Sequence, residues 1–458
     1  MKLDFTNFLY ALSYALDAVE QEITGSTVEH GKRVAILSYL CLKNSNLTDL
    51  EKVNLVCCAI LHDNAIAEYL NEEFGILHNN CNPELIKIRN EYGALSVHSY
   101  IGEKNISNLP LYGDIKNVIL WHHENADGSG PFRKTENETN ISSQVIHLTD
   151  LIDVSYFLPE LLDNEFQIVR DYVRQNTGTL FSHSAADLFL NNVTWEDIKS
   201  LQKEGPLALL QKNIPVIEKE YSDNELTQIA LFFAKIVDYK SSFTKDHSIG
   251  VAQKAQAMAE HYNFDHEKLI RFSFAAALHD IGKMVVGNDI LEKPDKLDAH
   301  EFSKMKNHAA ETYKILSTIK GFEDITEWAA NHHEKLDGTG YSRRLPAEKQ
   351  TFEDRLMACI DIYQALTEKR PYKDGLSHRR SISIMKEMAA ECKIEASIVD
   401  DMDLVFGKNA TLEEDDFENK KLTTKRWRCK VCGFVYEGDT PPANCPVCDS
   451  DMDEFELL

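Results

Sequence analysis

The segment RFSFAAALHDIGK, residues 271–283, determines how the second half of this chain folds. Its apolar residues recur at helical spacing as far as Leu278, which predicts a buried α-helix. The helix is followed directly by His279 and Asp280, two side chains that can turn inward together from a rigid base. A similar segment, NLVCCAILHDNAI, occupies residues 54–66. The same helix and the same His-Asp pair therefore occur once in each half of the chain.

The similarity between the halves extends over seven positions. The offset is 217 residues up to the first His-Asp pair and 210 or 211 beyond it, so the first half carries about seven extra residues near 68–97. Gly75 and Pro83 in that stretch indicate a loop. The matched positions carry side chains that bind transition metals: His30, His62, Asp63, His98, His122, His123 and Asp150 in the first half, and His247, His279, Asp280, His308, His332, His333 and Asp361 in the second. Such a repeat predicts tandem domains of one fold.

The positions of the second half supply five imidazoles and two carboxylates, which suits two clustered first-row transition metals. The expected ligands divide into a bridge, Asp280, a first group of His247, His279 and Asp361, and a second group of His308, His332 and His333. Two close metals are typical of phosphate-ester hydrolysis, and Lys283 is placed to neutralise a phosphate oxygen. Core histidines or helix caps are the structural alternative, which explains one such residue better than seven in order.

Helical spacing of apolar residues predicts a mostly α protein. The predicted helices are 3–23, 29–43, 50–62, 224–240, 246–262 and 266–279. The segment 165–215 is predicted to be helical and to close the first half, whereas the polar, charged residues 409–425 are predicted to form a linker. Residues 426–458, rich in Cys, Pro and Gly, are predicted to form a separate small module with β structure.

Composition limits the partners of the chain. A length of 458 residues allows about three domains, and a net charge of −25 disfavours a nucleic-acid polymer as partner. The N-terminal residues 1–21 have no continuous apolar run of the signal-peptide kind, and no stretch is long enough for a membrane span. Six of the ten cysteines are scattered, mostly in apolar helical contexts, which indicates a reducing, cytoplasmic environment.

The second half resembles the HD-GYP family, a branch of the HD-domain metal-dependent phosphohydrolases. The matching strings within residues 240–400 are HDIGK (279–283), ILEKPDKL (290–297), KNHAAETYKIL (306–316), HHEKLDGTGY (332–341) and DIYQALTEKRPYK (361–373). The resemblance implies an all-α fold that hydrolyses cyclic dinucleotides, chiefly cyclic di-GMP, at a centre of two or three iron or manganese ions. It implies that the seven positions are ligands, that Asp280 and Lys283 are catalytic, and that Lys283, Tyr341 and Arg370 contact the substrate phosphates or their surroundings.

Three departures from the family pattern affect these expectations. Ser342 replaces the Pro that ends the naming motif, which frees a backbone N–H and bears on substrate preference. Phe243 replaces the Glu of members with a third metal, so a binuclear centre is favoured. Gln364 replaces the second Asp of the usual D-x-Y-D string.

The first half keeps its seven positions and can hold metal, but it lacks the cations that would meet a phosphate. Ile66 stands where the second half has Lys283, a Gly-Pro-Phe turn occupies 130–132, and the matching stretch has no Arg-Pro-Tyr. We expect a regulatory or structural role, with a second, slower active site as the alternative. A tandem arrangement with one degenerate copy also resembles family members that act on mixed cyclic GMP-AMP.

Two CxxC pairs in the C-terminal module predict a four-thiolate metal site. The expected ligands are Cys429, Cys432, Cys445 and Cys448. The surrounding sequence, with aromatic residues at Trp427, Tyr436 and Phe455, resembles the short rubredoxin of rubrerythrins, which implies iron. A structural zinc knuckle is the alternative, because tetrahedral thiolate geometry admits both metals. A rubredoxin-like site exchanges one electron, which makes a redox partner protein one expectation.

Together these patterns predict a degenerate HD-GYP-like domain over 1–217, a catalytic HD-GYP domain over 218–408, a linker over 409–425 and a rubredoxin-like domain over 426–458. The predicted function is hydrolysis of a cyclic dinucleotide, cyclic di-GMP before cyclic GMP-AMP, at a binuclear iron or manganese site that the rubredoxin-like module modulates. The alternative is a non-catalytic redox or oxygen sensor that uses the same metal sites. The sequence leaves the oligomeric state open, a homodimer included.

Overall fold

The structure, a computed structural model, describes residues 1–24, 27–70, 82–240, 247–291, 293, 297–369, 375–410, 426–430, 435–437 and 455–457. The helices of the first half are α1 (Phe5–Thr24), α2 (His30–Leu42), α3 (Asp49–Ile60), α4 (Pro83–Tyr92), α5 (Leu95–Ile106), α6 (Ile141–Ser155), α7 (Asp163–Gln175), α8 (His183–Asn192), α9 (Trp195–Glu204) and α10 (Pro206–Asn213). Those of the second half are α11 (Asp223–Tyr239), α12 (His247–His261), α13 (His266–Leu278), α14 (Asn288–Leu291), α15 (Ala299–Leu316), α16 (Glu323–Ala330), α17 (Phe352–Thr367), α18 (His378–Ala390) and α19 (Ala396–Ala410).

The predicted mostly α fold is confirmed, and the six helices predicted from apolar spacing are present with small shifts at their ends. One prediction was wrong at its start, because residues 3 and 4 are not helical. Strand β1 (Lys2–Asp4) pairs antiparallel with β2 (Glu218–Glu220), with Leu3 opposite Lys219. The carboxylate of Asp4 accepts hydrogen bonds from the backbone N–H of Thr6 and of Asn7, at 3.1 and 3.2 Å. An N-cap of this kind holds the residue before a helix in extended conformation.

Side-chain caps fix the starts of the helices that carry the second-half positions. Asp265 accepts from the backbone N–H of Lys268 at the start of α13. Asp298 accepts from the first turn of α15, and Thr351 accepts from Asp354 N at the start of α17. Asp238 accepts from Ser248 N at 3.0 Å, within the first turn of α12. Because a cap satisfies N–H groups that lack an intrahelical partner, each helix begins at a defined residue.

The N-terminal helix α1 packs into the core of the second half. The ring of Phe8 lies 5.2 Å from that of Phe233, 6.0 Å from that of Phe274 and 5.7 Å from that of Phe322, measured between centroids. All four rings belong to one apolar core that includes residues of both halves. Burying an aromatic side chain of this size stabilises the fold by roughly 2 to 3 kcal/mol. The packing of the two halves is therefore set in part by α1.

The C-terminal module contains a small antiparallel sheet, in line with the predicted β structure. Strand β3 (Arg426–Cys429) lies between β4 (Val435–Glu437) and β5 (Phe455–Leu457). Trp427 faces Tyr436 across one pair, and Cys429 faces Phe455 across the other. The predicted positions that lie outside the described residues are Phe243, Arg370, Cys432, Cys445, Cys448, the side chain of Cys429 and the linker residues 411–425.

In the part of the chain that the structure describes, none of the helices combines the length and the apolar character that a membrane crossing requires.

Candidate metal centres

The fold brings all seven predicted positions of the second half together. His247 opens α12, the His279-Asp280 pair follows α13, His308 lies in α15, the His332-His333 pair follows α16, and Asp361 lies in α17. All are buried except His333, which is half-buried. Five separate helices thus deliver side chains to one point, which we call the second centre.

The two oxygens of Asp280 face different imidazoles. Its Oδ2 lies 3.7 Å from Nε2 of His247 and 3.2 Å from Nε2 of His279. Its Oδ1 lies 3.4 Å from Nε2 of His308 and 3.8 Å from Nε2 of His332. Two ligand atoms bonded to one metal at about 2.1 Å lie roughly 3.0 to 3.6 Å apart. The contacts with His279 and His308 fall in this range and those with His247 and His332 lie just above it, an arrangement that suits two metals with the Asp280 carboxylate between them.

Asp361 adds the second carboxylate. Its Oδ1 lies 3.2 Å from Nε2 of His247 and 3.8 Å from Nε2 of His279, so it belongs with the first group of imidazoles. Its Oδ2 lies 3.7 Å from Nδ1 of His333, which belongs to the second group. Both carboxylates therefore contact members of both predicted groups.

Backbone carbonyls orient three of the imidazoles. The Nδ1 atoms of these histidines donate to the carbonyl three residues earlier, His279 to Ala276 at 2.8 Å, His308 to Met305 at 2.7 Å and His332 to Ala329 at 2.6 Å. A carbonyl can only accept, so the proton is on Nδ1 and the lone pair of Nε2 faces the centre. This is the tautomer that a metal ligand requires.

Glycine at position 282 permits the close approach of two site segments. A Cβ at Gly282 would lie 2.0 Å from the carbonyl oxygen of His308, which no side chain tolerates. The N–H of Gly282 donates to Oγ1 of Thr312 at 3.1 Å, and the Thr312 hydroxyl donates to the carbonyl of His279 at 2.9 Å. The Gly of the HDIGK string is therefore needed to hold the His-Asp pair against α15.

The electrostatics keep Asp280, His332 and His333 in their metal-binding forms. Burial would raise the pKa of Asp280, but His279 and Lys283 hold it well below its usual range. Burial lowers the pKa of His333 to about 3, and burial together with the neighbouring His333 holds the pKa of His332 well below its usual range. Near neutral pH these imidazoles are neutral and the carboxylate is ionised, as metal binding requires.

Two observations test whether the residues fit a metal. Nε2 of His279 and Oδ1 of Asp280 are buried and have no hydrogen-bond partner among the described residues. Such atoms are costly to bury unless a ligand satisfies them. The pKa of His247 is raised to about 9, because the carboxylates of Asp361 and Glu368 outweigh burial. This local excess of negative charge suits a cation, and imidazoles with carboxylates suit iron, manganese or zinc.

Of the three predicted phosphate-binding residues, Lys283 and Tyr341 contact residues of the second centre. Nζ of Lys283 pairs with Oδ2 of Asp280, and this contact outweighs burial to raise the pKa of the ammonium. The Tyr341 ring lies 4.6 Å from the His333 ring between centroids. Nζ of Lys306 lies 5.4 Å from the Tyr341 centroid, a cation beside the centre that the sequence had not indicated. Arg370 lies outside the described residues.

Sequence reasoning also missed Glu368, whose Oε2 lies 2.9 Å from Nδ1 of His247. The Nδ1 proton of His247 is donated to this carboxylate, which turns Nε2 towards Asp361. A signal was present in the sequence, since Glu368 follows Gln364 by four residues and Gln364 stands where the family has an Asp.

The first half assembles its seven positions in the same way, at what we call the first centre. Oδ2 of Asp63 lies 3.5 Å from Nε2 of His62, and its Oδ1 lies 3.4 Å from His98 and 3.7 Å from His122. Oδ1 of Asp150 lies 3.3 Å from Nε2 of His30 and 3.8 Å from that of His62. Nε2 of His123 lies 3.1 Å from that of His98.

The surroundings of the first centre differ from those of the second. Ile66, at the position of Lys283, is buried. A cavity of about 20 Å³ beside Asp63 is lined by Ile66 and by Met284 of the second half, among others. One water needs roughly 10 to 15 Å³ of such volume, so the cavity is far too small for a nucleotide.

Two family models match the chain. The model described as an HD domain matches residues 232–398, and the model described as a rubrerythrin, rubredoxin-like domain matches residues 427–456.

The chain is also similar to known phosphodiesterases. It is 26% identical over 403 residues to the 3'3'-cGAMP-specific phosphodiesterase 1 of Vibrio cholerae, covering 85% of this chain and 89% of that protein. It is 37% identical over 277 residues to the 3'3'-cGAMP-specific phosphodiesterase 3 of the same organism, covering 58% and 57%. A cyclic di-GMP phosphodiesterase of Thermotoga maritima is 32% identical over 179 residues, covering 39% and 48%.

Among solved structures, the crystal structure of a cyclic GMP-AMP-specific phosphodiesterase of Vibrio cholerae matches with a TM-score of 0.62. The match covers 91% of this chain and 100% of that chain at 21% sequence identity, so the likeness concerns the fold.

Proposed function

We propose that this chain, which matches an HD-domain model over residues 232–398 and a rubredoxin-like model over residues 427–456, is a metal-dependent phosphodiesterase of the HD-GYP kind that hydrolyses a cyclic dinucleotide. The observation that carries the proposal is the position of Asp280, whose two oxygens face two different groups of imidazoles beside the ammonium of Lys283. A bridging carboxylate next to a cation suits an anionic ester substrate.

The seven positions of the second centre would hold two iron or manganese ions, with Asp280 as the bridge. Metals bound there would act as Lewis acids towards the phosphoryl group and lower the pKa of water. Asp280 and the backbone-oriented imidazoles keep the donor atoms fixed. Lys283 places a positive charge where charge develops on a non-bridging phosphate oxygen.

Tyr341 and Lys306 would position the substrate beside this centre. The Tyr341 ring packs against His333, and Nζ of Lys306 lies over the Tyr341 ring at 5.4 Å from its centroid. An aromatic face can stack on a base and an ammonium can meet a phosphate, which are the two chemical features of a cyclic dinucleotide. Arg370 would be a further contact to a substrate phosphate.

We further propose cyclic GMP-AMP, ahead of cyclic di-GMP, as the substrate. The sequence strings by themselves favour cyclic di-GMP. The relative that aligns over 403 residues, and so over both halves, is described as specific for 3'3'-cGAMP. This observation favours cyclic GMP-AMP for a chain that keeps both halves.

The two halves would have different roles. The second half, with Lys283 beside its bridge, would carry turnover, and the first half, with Ile66 at that position, would be regulatory or structural. The rubredoxin-like domain would hold iron through its four cysteines and modulate the second centre by electron transfer. The alternative, a redox or oxygen sensor without turnover, gives no role to Lys283.

One experiment tests the central proposal. The full-length protein is purified without oxygen, its iron, manganese and zinc are counted, and turnover of cyclic GMP-AMP and cyclic di-GMP is measured on the same sample. We expect hydrolysis of at least one of the two, lost on chelation and restored by Fe²⁺ or Mn²⁺. A metal-loaded sample that hydrolyses neither would establish the sensor alternative instead.

A further inference from the structure

Glu20 of α1 reaches the first centre from outside the seven repeated positions. Its Oε1 lies 3.6 Å from Nε2 of His30, and Oδ1 of Asp150 lies 3.3 Å from the same nitrogen. The Glu20 side chain is only 10% exposed and that of His30 only 1%. Burying a carboxylate costs free energy unless a cation or hydrogen-bond donors compensate for its lost hydration, and Glu20 is buried against a predicted ligand.

The separations fit a shared metal ion. Ligand atoms bonded to one metal at about 2.1 Å lie roughly 3.0 to 3.6 Å apart, and the separations of Glu20 and of Asp150 from Nε2 of His30 both fall in this range. Nε2 of His30 and Nε2 of His62 are buried and lack a hydrogen-bond partner among the described residues. Both nitrogens are held towards this point, because Nδ1 of His62 donates to a backbone carbonyl and Nδ1 of His30 lies 2.7 Å from Asp153.

The neighbouring acids are already matched by cations. Asp17 pairs with Nζ of Lys32 at 3.1 Å, and Asp153 pairs with Nε of Arg33 at 2.7 Å. The carboxylates that face the Nε2 atoms of the first-centre imidazoles are Asp63, Asp150 and Glu20, whereas Asp153 contacts Nδ1 of His30. Three carboxylates with five imidazoles form a harder donor set than two, which favours manganese or iron over softer ions.

The same region of the second centre carries the opposite charge. There the ammonium of Lys283 pairs with Asp280. In the first half the matching position is Ile66, and Glu20 and Ile66 line the same cavity of about 20 Å³, which Met284 of the second half also lines. A carboxylate repels a phosphodiester, and this volume holds about one water.

We propose that Glu20 is a metal ligand of the first centre, and that it makes this centre a carboxylate-rich metal site that disfavours phosphate esters. Metal binding by Glu20 is inferred from the geometry of the first centre, so it can be tested independently of hydrolysis at the second centre.

The test counts metal in a full-length chain that carries Asp280→Ala, which removes the bridge of the second centre. Mn²⁺ is the probe, because the thiolates of the C-terminal module prefer softer ions. Mn²⁺ affinity is measured by equilibrium dialysis and by electron paramagnetic resonance. Glu20→Gln is compared with Glu22→Gln, a matched change on the same helix whose carboxylate faces Lys240 and Asn288 N.

We expect Glu20→Gln to weaken Mn²⁺ binding at least about tenfold and Glu22→Gln to leave it unchanged. Glu20→Asp keeps the charge but shortens the side chain, so it should weaken binding while preserving the fold if the Gln variant is unstable. Equal affinity in Glu20→Gln and its parent overturns the proposal, and so does a parent chain that binds no Mn²⁺. Inorganic phosphate should leave the Mn²⁺ spectrum unchanged; a phosphate-induced change would refute the proposal that the extra carboxylate disfavours phosphate esters.

Discussion

Oε2 of Glu368 lies 2.9 Å from Nδ1 of His247, and this contact does in the second half what Asp153 does for His30 in the first. Asp153 follows Asp150 by three residues, and the matching position of the second half is Gln364. In the second half the carboxylate therefore comes from the residue that follows α17, four positions after Gln364, and contacts the same nitrogen of the matching histidine.

The second half also lacks the cation that pairs with this carboxylate in the first half. Arg33, which pairs with Asp153, corresponds to Gly250, and a Cβ at Gly250 would lie 2.4 Å from Nε2 of Gln364. The amide of Gln364 thus occupies the space that a larger residue at 250 would need. Its Oε1 accepts instead from Nζ of Lys254 at 2.6 Å.

The first prediction concerns Glu368→Gln. The variant keeps the shape of the side chain but removes the negative charge that orients His247. We expect metal affinity at the second centre to fall about 10- to 100-fold, as for other carboxylates that hold a histidine ligand. Equilibrium dialysis with Mn²⁺ measures this, and Glu391→Gln, an exposed change in the same half, is the control. Unchanged affinity would assign Glu368 a structural role only.

The second prediction concerns Asp280→Ala. Removal of the carboxylate between the two imidazole groups should lower metal content and abolish hydrolysis of cyclic dinucleotides. The fold should survive, because α13 and α15 are held by capped helix starts and an apolar core. Turnover, metal analysis and circular dichroism separate these effects. Hydrolysis at the wild-type rate would refute the assignment of the second centre as the active site.

The third prediction concerns Lys283→Met, which keeps the apolar stem and removes the ammonium. Metal content should be retained, whereas kcat/KM should fall about 10- to 100-fold, the effect of losing one charged contact to phosphate. Lys320→Met, an exposed change in the same half, is the matched control. Equal losses of metal and of turnover would mean that Lys283 supports Asp280 and does not meet the substrate.

The sequence was sufficient for the fold class and for the residues that meet at each centre. The buried helix before HDIGK, and its repeat in the first half, predict that the His-Asp pairs follow a helix. Apolar spacing of this kind can be read directly from the sequence. Glu20 and Glu368 were missed because neither is repeated between the halves, and each reaches its histidine through tertiary packing. Met284 of the second half lines the cavity beside Asp63 of the first half, and the spacing of residues within one segment cannot reveal such a contact.

The fourth prediction separates the halves. His62→Ala combined with Asp63→Ala should lower the metal content of the first centre and leave most hydrolysis intact, because that centre has Ile66 in place of a phosphate-binding cation. Steady-state rates with cyclic GMP-AMP and metal counts on the same sample provide the measurement. An inactive double variant, beside second-half variants that still turn over, would show that the roles of the halves are reversed.

The last prediction concerns Cys432→Ser in the rubredoxin-like domain, which matches residues 427–456. A module joined to the HD domain by a short polar segment has a high effective concentration near the second centre, which favours electron transfer between them. With iron bound, the four thiolates should give a visible charge-transfer band that dithionite bleaches. The variant should lose this band and make hydrolysis less sensitive to oxygen and reductant, with metal content of the second centre unchanged. Asp449→Ser, a change of a neighbouring non-thiolate residue, is the control. Since proximity alone does not move electrons, a colourless zinc-loaded module, or the same redox sensitivity with and without Cys432, would leave the module a structural role only.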